Sequence, residues 1–413
     1  MGSPHKSQFF SPLDYPSDDE GSMARRGRPG SPAPPPPPDN DDLLSEILLR
    51  LPPAPSSLPR ASLVCNHWRR LVTNPAFVRR FRAHHRRRAP LLGFFAEEPR
   101  FGFTPTLKPP DRVPRGRFSL HLDDDDEWRI LSCRHGLLLL HSKRQLQVLV
   151  WDPVTGDQCR IAVPPSFHTS DGTIVNNGAL LRAAGGVHGG SQSSTFHFQV
   201  VILGTGQEYR SFVCVYSSEN GVWHDPISIA GPLNSVSPIP GTFLGSSLYW
   251  YLLGASHAIL EFDLDRQYLA VIDMPLEVMP TSFWLIPADG CVLGFLHQSY
   301  EYDVVYLWKR GRDGDGLAGW VREKTIDLSD LLPLSAKDVW YLTIFGFAED
   351  DKVLLIRTPD RIFTIQVESM KFVQFKMHYA DSSICYPFSS VYTAGMGLGD
   401  EDEHEGAELL LNA

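Results

Sequence analysis

LSCRHGLLLL (residues 131–140) followed by QVLVWDPVTGDQCRIAVP (147–164) sets the theme of most of this chain. A Gly-containing apolar strand is followed by a second strand ending in a polar turn, and then by a third that carries aliphatic residues or tryptophan. Short apolar runs bounded by Gly, Pro, Asp and Asn are the mark of strands joined by turns. Looser copies follow: FHFQVVILG (196–204) with RSFVCVYSSENGVWHD (210–225), and TFLGSSLYWYLL (242–253) with AILEFDLDRQYLAVIDMP (258–275). Next are DGCVLGFLH (289–297) with DVVYLWKR (303–310) through GWVREKTIDL (319–328), and IFGFAEDDKVLLIRT (344–358) with RIFTIQVESMKFVQF (361–375). The turns after the second strands, at Asp152, Ser217, Asp263, Lys309 and Gln366, are separated by 65, 46, 46 and 57 residues. Most of these intervals are near the ~40 to 50 residues of a four-stranded propeller blade. The pattern predicts an all-β propeller of about five or six blades, with insertions such as 166–194 and 310–319 as loops. Radial closure also explains how so many strands avoid long open edges.

Composition agrees. In 413 residues, 42% hydrophobic content supplies a sizeable core, and 34 prolines with 33 glycines favour turns over long helices. The formal net charge of −10 argues against a surface made to grip nucleic acid, which needs a concentrated positive field. Charge is unevenly placed: residues 40–88 hold ten arginines against Asp41, Asp42 and Glu46, a local net of +7. The six cysteines are far apart with no C-x-x-C pair, so they read mostly as buried thiols in a reducing compartment, with no metal site. The amino terminus shows no apolar leader pattern and no stretch approaches ~18 consecutive apolar residues, so the chain is expected in the cytoplasm, the nucleus or both, without a membrane partner. Residues 1–39, with the run Pro34 to Pro38, read as a disordered arm, and 396–413 as an acidic tail.

Upstream of the β region the periodicity is helical. In DDLLSEILLRLPP (41–53) apolar residues recur at 43, 44, 47, 48 and 51, Asp41 and Asp42 suit a helix start, and Pro52 and Pro53 stop it. In SSLPRASLVCNHWRRLV (56–72) Leu58, Ala61, Cys65, Trp68 and Val72 advance by 3, 4, 3 and 4, predicting one helix capped by Ser57. A third helix starts at Asn74 with Pro75 in its first position and carries Phe77 and Phe81 on one face. Three short helices in roughly fifty residues are near the lower limit for a self-sufficient core, so the unit suits folding against a partner.

These residues resemble a known family. DLLSEILLRLP (42–52), LPRASLVCNHWRRLV (58–72) and NPAFVRRF (74–81), in that order, look like an F-box: a Leu-rich helix ending in Leu-Pro, an Arg-x-x-x-Val-Cys-x-x-Trp-Arg helix, and an x-Pro-x-Phe helix. Residues 90–395 are similar to the associated β domain of plant F-box proteins, through HGLLLL (135–140), VWDPVTG (150–156), SSLYWYL (246–252) and EFDLD (261–265). The resemblance implies a non-catalytic substrate receptor of a Skp–cullin–F-box ubiquitin ligase, with no cofactor, in which the β domain binds a target protein. It also implies that Leu43, Leu44, Ile47, Leu48, Leu51, Pro52, Leu58, Val64, Cys65 and Trp68 bind the Skp-family adaptor, with Arg60, Arg69, Pro75 and Phe77 completing the motif. On this basis Leu48→Asp is expected to abolish adaptor binding while leaving the β domain folded. One departure is expected to weaken that binding: Asp39-Asn40-Asp41 replaces the Leu-Pro that usually opens the motif, and Pro53 and Pro55 crowd the first interhelical loop.

Rival readings are a scaffold outside any ligase and a propeller enzyme. Glycan-processing propellers need repeated S-x-D-x-G turns, and TSDGTIV (169–175) lacks that spacing. Trp151-Asp152 stands alone rather than in a WD array, and Gly185-Gly186 and Gly189-Gly190 fall in a low-complexity stretch. Gly204-x-Gly206 is followed by neither a third glycine nor a helix, which excludes a nucleotide fingerprint. His84 and His85, within the basic run Arg79 to Arg88, read as solvated side chains rather than metal ligands.

Overall fold

A computed structural model of the chain describes residues 41–97, 101–122, 126–167, 174–182, 197–206, 210–230, 235–254, 257–275, 282–299, 303–312, 318–376 and 384–393. The arm assigned to 1–39 and the tail assigned to 396–413 lie outside these residues.

Four helices come first: α1 (Asp41–Leu49), α2 (Ser57–Ser62), α3 (Asn66–Thr73) and α4 (Pro75–His85). The second predicted helix is broken in two, and the backbone shows why. Cys65 is extended, with φ −163° and ψ 168°, and its sulfur accepts from the Trp68 amide at 3.5 Å, which caps α3. The Ser62 hydroxyl turns back onto the Pro59 carbonyl at 2.6 Å, a local bond that competes with helix continuation. The 3-4-3-4 spacing therefore persists across a break. Ser56, not Ser57, occupies the position before α2, and its side chain caps nothing. The predicted start of the last helix holds: the Asn74 side chain accepts from the Ala76 amide at 2.8 Å and Pro75 opens α4.

The β region is a six-bladed propeller. After β1 (Leu91–Ala96) and β2 (Gly102–Pro105), the first complete blade is β3 (Trp128–Arg134), β4 (Leu137–Ser142), β5 (Gln147–Trp151) and β6 (Gln158–Ala162). The second is β7 (Ile174–Arg182), β8 (Phe198–Thr205) and β9 (Arg210–Ser217), with the short β10 (Val222–Trp223) and β11 (Ile227–Ala230) both paired to β9. In the third, β12 (Ser235–Val236) and β13 (Thr242–Leu244) both pair with β14 (Ser247–Leu253), followed by β15 (Ala258–Asp263) and β16 (Tyr268–Asp273). The fourth is β17 (Phe283–Ala288), β18 (Val292–Gln298), β19 (Val304–Arg312) and β20 (Ala318–Asp327). Two four-residue helices, α5 (Leu328–Leu331) and α6 (Ala336–Val339), lead to the fifth: β21 (Thr343–Ala348), β22 (Val353–Arg357), β23 (Arg361–Gln366) and β24 (Phe372–Lys376). The sixth sheet joins the two ends of the region, with β25 (Tyr386–Ser389) pairing with β1 and β1 with β2.

The innermost strands β21, β25, β3 and β7 adjoin in that order, as do β13, β17 and β21. The buried Asn177 of β7 spans the remaining interval by donating to the Ser237 and Ile239 carbonyls at 2.9 and 2.8 Å. The core is distributed as separate apolar layers between neighbouring sheets rather than as one nucleus. At the sixth sheet Phe388 is fully buried, with ring centroids 5.3 Å from Phe95, 6.1 Å from Phe103 and 5.3 Å from Phe118.

Three details differ from the sequence reading. LSCRHGLLLL is a hairpin of two strands, turned by His135 and Gly136 at φ +54° and +76°, the left-handed values a tight two-residue turn requires. The landmark turns therefore follow third strands, and Lys309 lies inside β19 rather than in a turn. The stretch 166–194, expected to be a loop, contains β7, and residues 310–312 and 318–319 are strand; the rest of those two insertions lies outside the described residues, apart from Ser166 and Phe167 in a short 3-10 turn. The cysteines are all unpaired, but Cys65, Cys159 and Cys291 are exposed, Cys133 is half-buried, and Cys214 and Cys385 alone are buried.

The seam between the fifth blade and β25 makes a stability prediction. A Cβ on Gly346 would lie 2.5 Å from the Cys385 sulfur and 3.1 Å from its carbonyl, where Cys385 N already donates to Phe345 O at 2.8 Å. Gly346→Val should therefore cost about 1–3 kcal/mol through overpacking, read by urea unfolding of the full chain. An unchanged midpoint would show that the two segments do not meet there.

Candidate functional adaptor-binding surface

The helical motif divides its apolar residues between inside and outside. Leu48, Leu49, Leu58, Ala61, Val72, Phe77, Val78 and Phe81 are buried. Phe77 and Phe81 stack at 6.3 Å, and the His85 ring lies 4.5 Å from Phe81 with Nε2 bonded to the Leu49 carbonyl at 2.7 Å. Burial pushes the His85 imidazole below its ordinary value, which keeps it neutral against that apolar surface. Arg80 pairs with Glu46 at 2.8 Å, but both are more than half exposed and the pair contributes little.

Four large apolar side chains face solvent instead. Leu43 is 60% exposed, Ile47 50%, Leu63 64% and Val64 62%. Leu43 and Ile47 are four residues apart on α1 and so share one face. Leu63 and Val64 form the corner created by the break between α2 and α3. Of the ten residues expected at the adaptor interface, Leu43, Ile47, Pro52, Val64 and Cys65 are exposed, Leu44, Leu51 and Trp68 are half-buried, and Leu48 and Leu58 are fully buried. A charge at Leu48 disrupts the helices themselves, so Leu48→Asp reports folding rather than docking. Leu63 was missed because its exposure depends on the helix break, which the uninterrupted spacing conceals.

The helices meet the propeller through polar contacts. The Ser56 amide donates to Asp111 Oδ1 at 2.9 Å. Arg82 on α4 lies in the field of Asp152 and Arg117, and burial lowers its guanidinium from the ordinary value. Asp152 has a structural task as well: its carboxylate accepts from the Val154 and Thr155 amides at 2.8 and 3.2 Å and so shapes the turn after β5. Asp263 does the same after β15, accepting from the Asp265 and Arg266 amides at 3.0 and 2.9 Å. The carboxylates that made WDPVTG and EFDLD recognisable are thus turn-formers.

A small pocket of about 60 Å³ runs among the inner strands, lined by Arg134, Thr242, Trp284, Glu349 and Tyr386 among others. Arg134 Nη2 and Glu349 Oε2 pair at 2.5 Å, Thr242 donates to Glu349 Oε1 at 3.0 Å, and the Arg134 guanidinium lies 5.7 Å from the Phe243 ring centre. Burial raises the Glu349 carboxyl although Arg134 and Thr242 oppose the shift. The ion pair ties the end of β3 to the residue that follows β21, on either side of the β25 strand that adjoins both, and the space beside it admits a few waters. Among the described residues no group of three or more His, Cys, Asp and Glu could hold a metal ion, and no helix is long and apolar enough to cross a membrane.

Comparison with known proteins follows the same division. Residues 40–80 match the F-box domain model, and 129–392 match the model described as F-box protein AT5G49610-like, beta-propeller. The F-box/kelch-repeat protein At3g23880 of Arabidopsis thaliana is 21% identical over 316 residues, covering 68% of this chain and 80% of that protein. Among solved structures, a streptogramin B lyase aligns at 13% identity and a TM-score of 0.35, over 64% of this chain and 73% of its own. The Cps50 (Swd1) β-propeller domain of Myceliophteria thermophila aligns at 10% identity and a TM-score of 0.32, over 61% and 73% respectively. With its amino-terminal motif matched and nearly two thirds of its length within the propeller model, the chain belongs to the F-box protein AT5G49610-like β-propeller family.

Proposed function

We propose that this protein is the substrate-recognition subunit of a Skp–cullin–F-box ubiquitin ligase, its helices docking on a Skp-family adaptor and its propeller receiving a target protein. The observation that carries the reading is the outward set Ile47, Leu63 and Val64, apolar side chains left in water while the motif's other aliphatic and aromatic residues, Leu48, Leu58, Val72, Phe77 and Phe81, are buried. Removing them from water is favourable at about 25 cal/mol per Å², and a groove on a partner is the usual means. A receptor of this kind makes and breaks no bonds. It raises the local concentration of a captured protein beside the transfer machinery, so the rate gain is one of proximity. The reading needs no cofactor, nucleic acid or membrane, and its place is the cytoplasm or nucleus, in keeping with six unpaired cysteines.

The test is retention of the full chain by an immobilised Skp-family adaptor. Ile47→Asp combined with Val64→Asp places two charges on exposed positions, so the unfolding temperature should stay within about 2 °C of the parent. Retention should fall at least a hundredfold, as expected when charge enters a desolvated apolar contact. A wild-type chain that the adaptor ignores would leave the scaffold reading, a propeller with a helical leader outside any ligase.

A further inference from the structure

All nine tryptophans fall in the described residues, and eight are buried or half-buried; Trp340 is 73% exposed. Tyr341 beside it is 66% exposed. The two rings sit in the segment that leads from β20 to β21. The chain on either side of them is firmly held. Leu328, Leu332 and Leu342 are buried, and Gln298 Nε2 donates to the Leu342 carbonyl at 2.7 Å. Asp327 caps α5 by accepting from the Ser329 and Asp330 amides at 3.0 and 3.1 Å. Asp338 accepts from the Ser335 amide at 2.6 Å and pairs with Arg361, whose Nη1 donates to the Pro333 carbonyl at 2.9 Å. A braced segment that holds two large rings in water has already met the ordering cost that binding usually exacts.

Strand direction locates this segment. α4 runs into β1, which starts beside the last residue of β25; Ser56 bonds to Asp111 after β2, and Arg82 lies in the field of Asp152 after β5. All of these lie at the end of the propeller where inner strands finish. Trp340 and Tyr341 precede the start of an inner strand, and so lie at the opposite end.

Charge says what could settle there. Residues 89–395 contain 24 Lys and Arg against 34 Asp and Glu, so the propeller region is net −10. On the same segment Asp327 and Asp330 are exposed, and Asp360 is 73% exposed on the guanidinium that clamps Asp338. Exposed aromatic faces on a segment that carries solvent-exposed carboxylates suit a cation, which gains from both the ring quadrupole and the local field.

We infer that Trp340 and Tyr341 form the anchor of a target-binding surface at the propeller end remote from the F-box helices, and that its partner is a protein segment rich in Lys or Arg. The inference deepens the receptor reading, on which it rests for the partner's being a ligase target. It is tested by selecting 12-residue peptides from a displayed library with the full chain as bait, then measuring anisotropy of the labelled winners. Peptides bearing several Lys or Arg should be enriched, should bind more weakly at high salt, and should lose at least tenfold in affinity for the Trp340→Ala, Tyr341→Ala double variant, whose unfolding temperature should match the parent. An empty selection, acidic or uncharged winners, or winners that bind the variant equally well would overturn the inference. So would light scattering that showed the parent to be a dimer and the variant a monomer, since a second copy would then be the occupant. Adaptor retention, measured on the same samples, separates the two claims: an adaptor that ignores the parent chain sinks the ligase reading and leaves the peptide result standing.

Discussion

Replacing Phe388 by alanine is expected to remove about 3–5 kcal/mol of stability, the cost of emptying a fully buried aromatic site. The ring sits on β25 among Phe95, Phe103 and Phe118, which reach it from β1, β2 and the segment after β2. It therefore joins the two ends of the β region, and weakening it affects closure of the whole ring of blades. Loss of closure exposes unpaired strand edges, so the variant should also aggregate on mild heating. Urea unfolding of the full chain measures the effect. Phe372→Ala serves as the control, because that ring is 39% exposed on the outer strand β24 and its loss should cost under about 1 kcal/mol. Equal effects of the two substitutions would contradict the closure described here.

A second large effect is expected from acid. His141 and His297 are 4% and 7% exposed, and burial, reinforced by Arg129 and Lys143 at the first and Arg322 at the second, brings each imidazole down to about 4. In the unfolded chain both titrate near 6.5. Between those values the unfolded state binds more protons than the folded one, so stability falls as pH drops through 6.5 and levels off below 4. Each group contributes roughly 3 kcal/mol of loss across that window. Asp152, Asp351 and Glu349 act in the opposite sense, since burial raises their carboxyls and the folded state takes up protons first, which offsets part of the loss. Unfolding free energies at pH 7.5 and 4.5 should differ by several kcal/mol, and His141→Gln with His297→Gln should flatten the profile. A flat profile in the parent chain would show that the two rings are not buried as described.

Five blades could be read from the sequence because each keeps its strands and turns together, with Asp152 and Asp263 fixing turns in a way that leaves a mark on the residue types. The sixth could not, since its strands are contributed by residues 91–105 and 386–389 and no contiguous stretch contains the unit. Helix spacing placed Leu58, Ala61 and Val72 on one face, and all three are buried, but it reports position around an axis and says nothing of a break in that axis or of what covers the face, so Leu58 was assigned to the adaptor. Cys65 and Val64 were therefore placed on a continuous helix, whereas the extended backbone at Cys65 turns both outward. The same limit hid the difference between Ile47 and Leu48, neighbours in the motif that are 50% and 0% exposed. Trp340 and Tyr341 gave no periodic signal at all; their exposure is set by the bracing of Asp327, Asp338 and Arg361 around them, contacts that join separate parts of the chain.

The most direct measurement is calorimetric titration of a purified Skp-family adaptor into the full-length protein at two temperatures. The predicted result is one-to-one binding with a negative heat-capacity change, the mark of apolar surface leaving water, and its loss in the Ile47→Asp, Val64→Asp variant. Absence of binding by the parent chain, or binding that the two charges leave unchanged, would contradict the account.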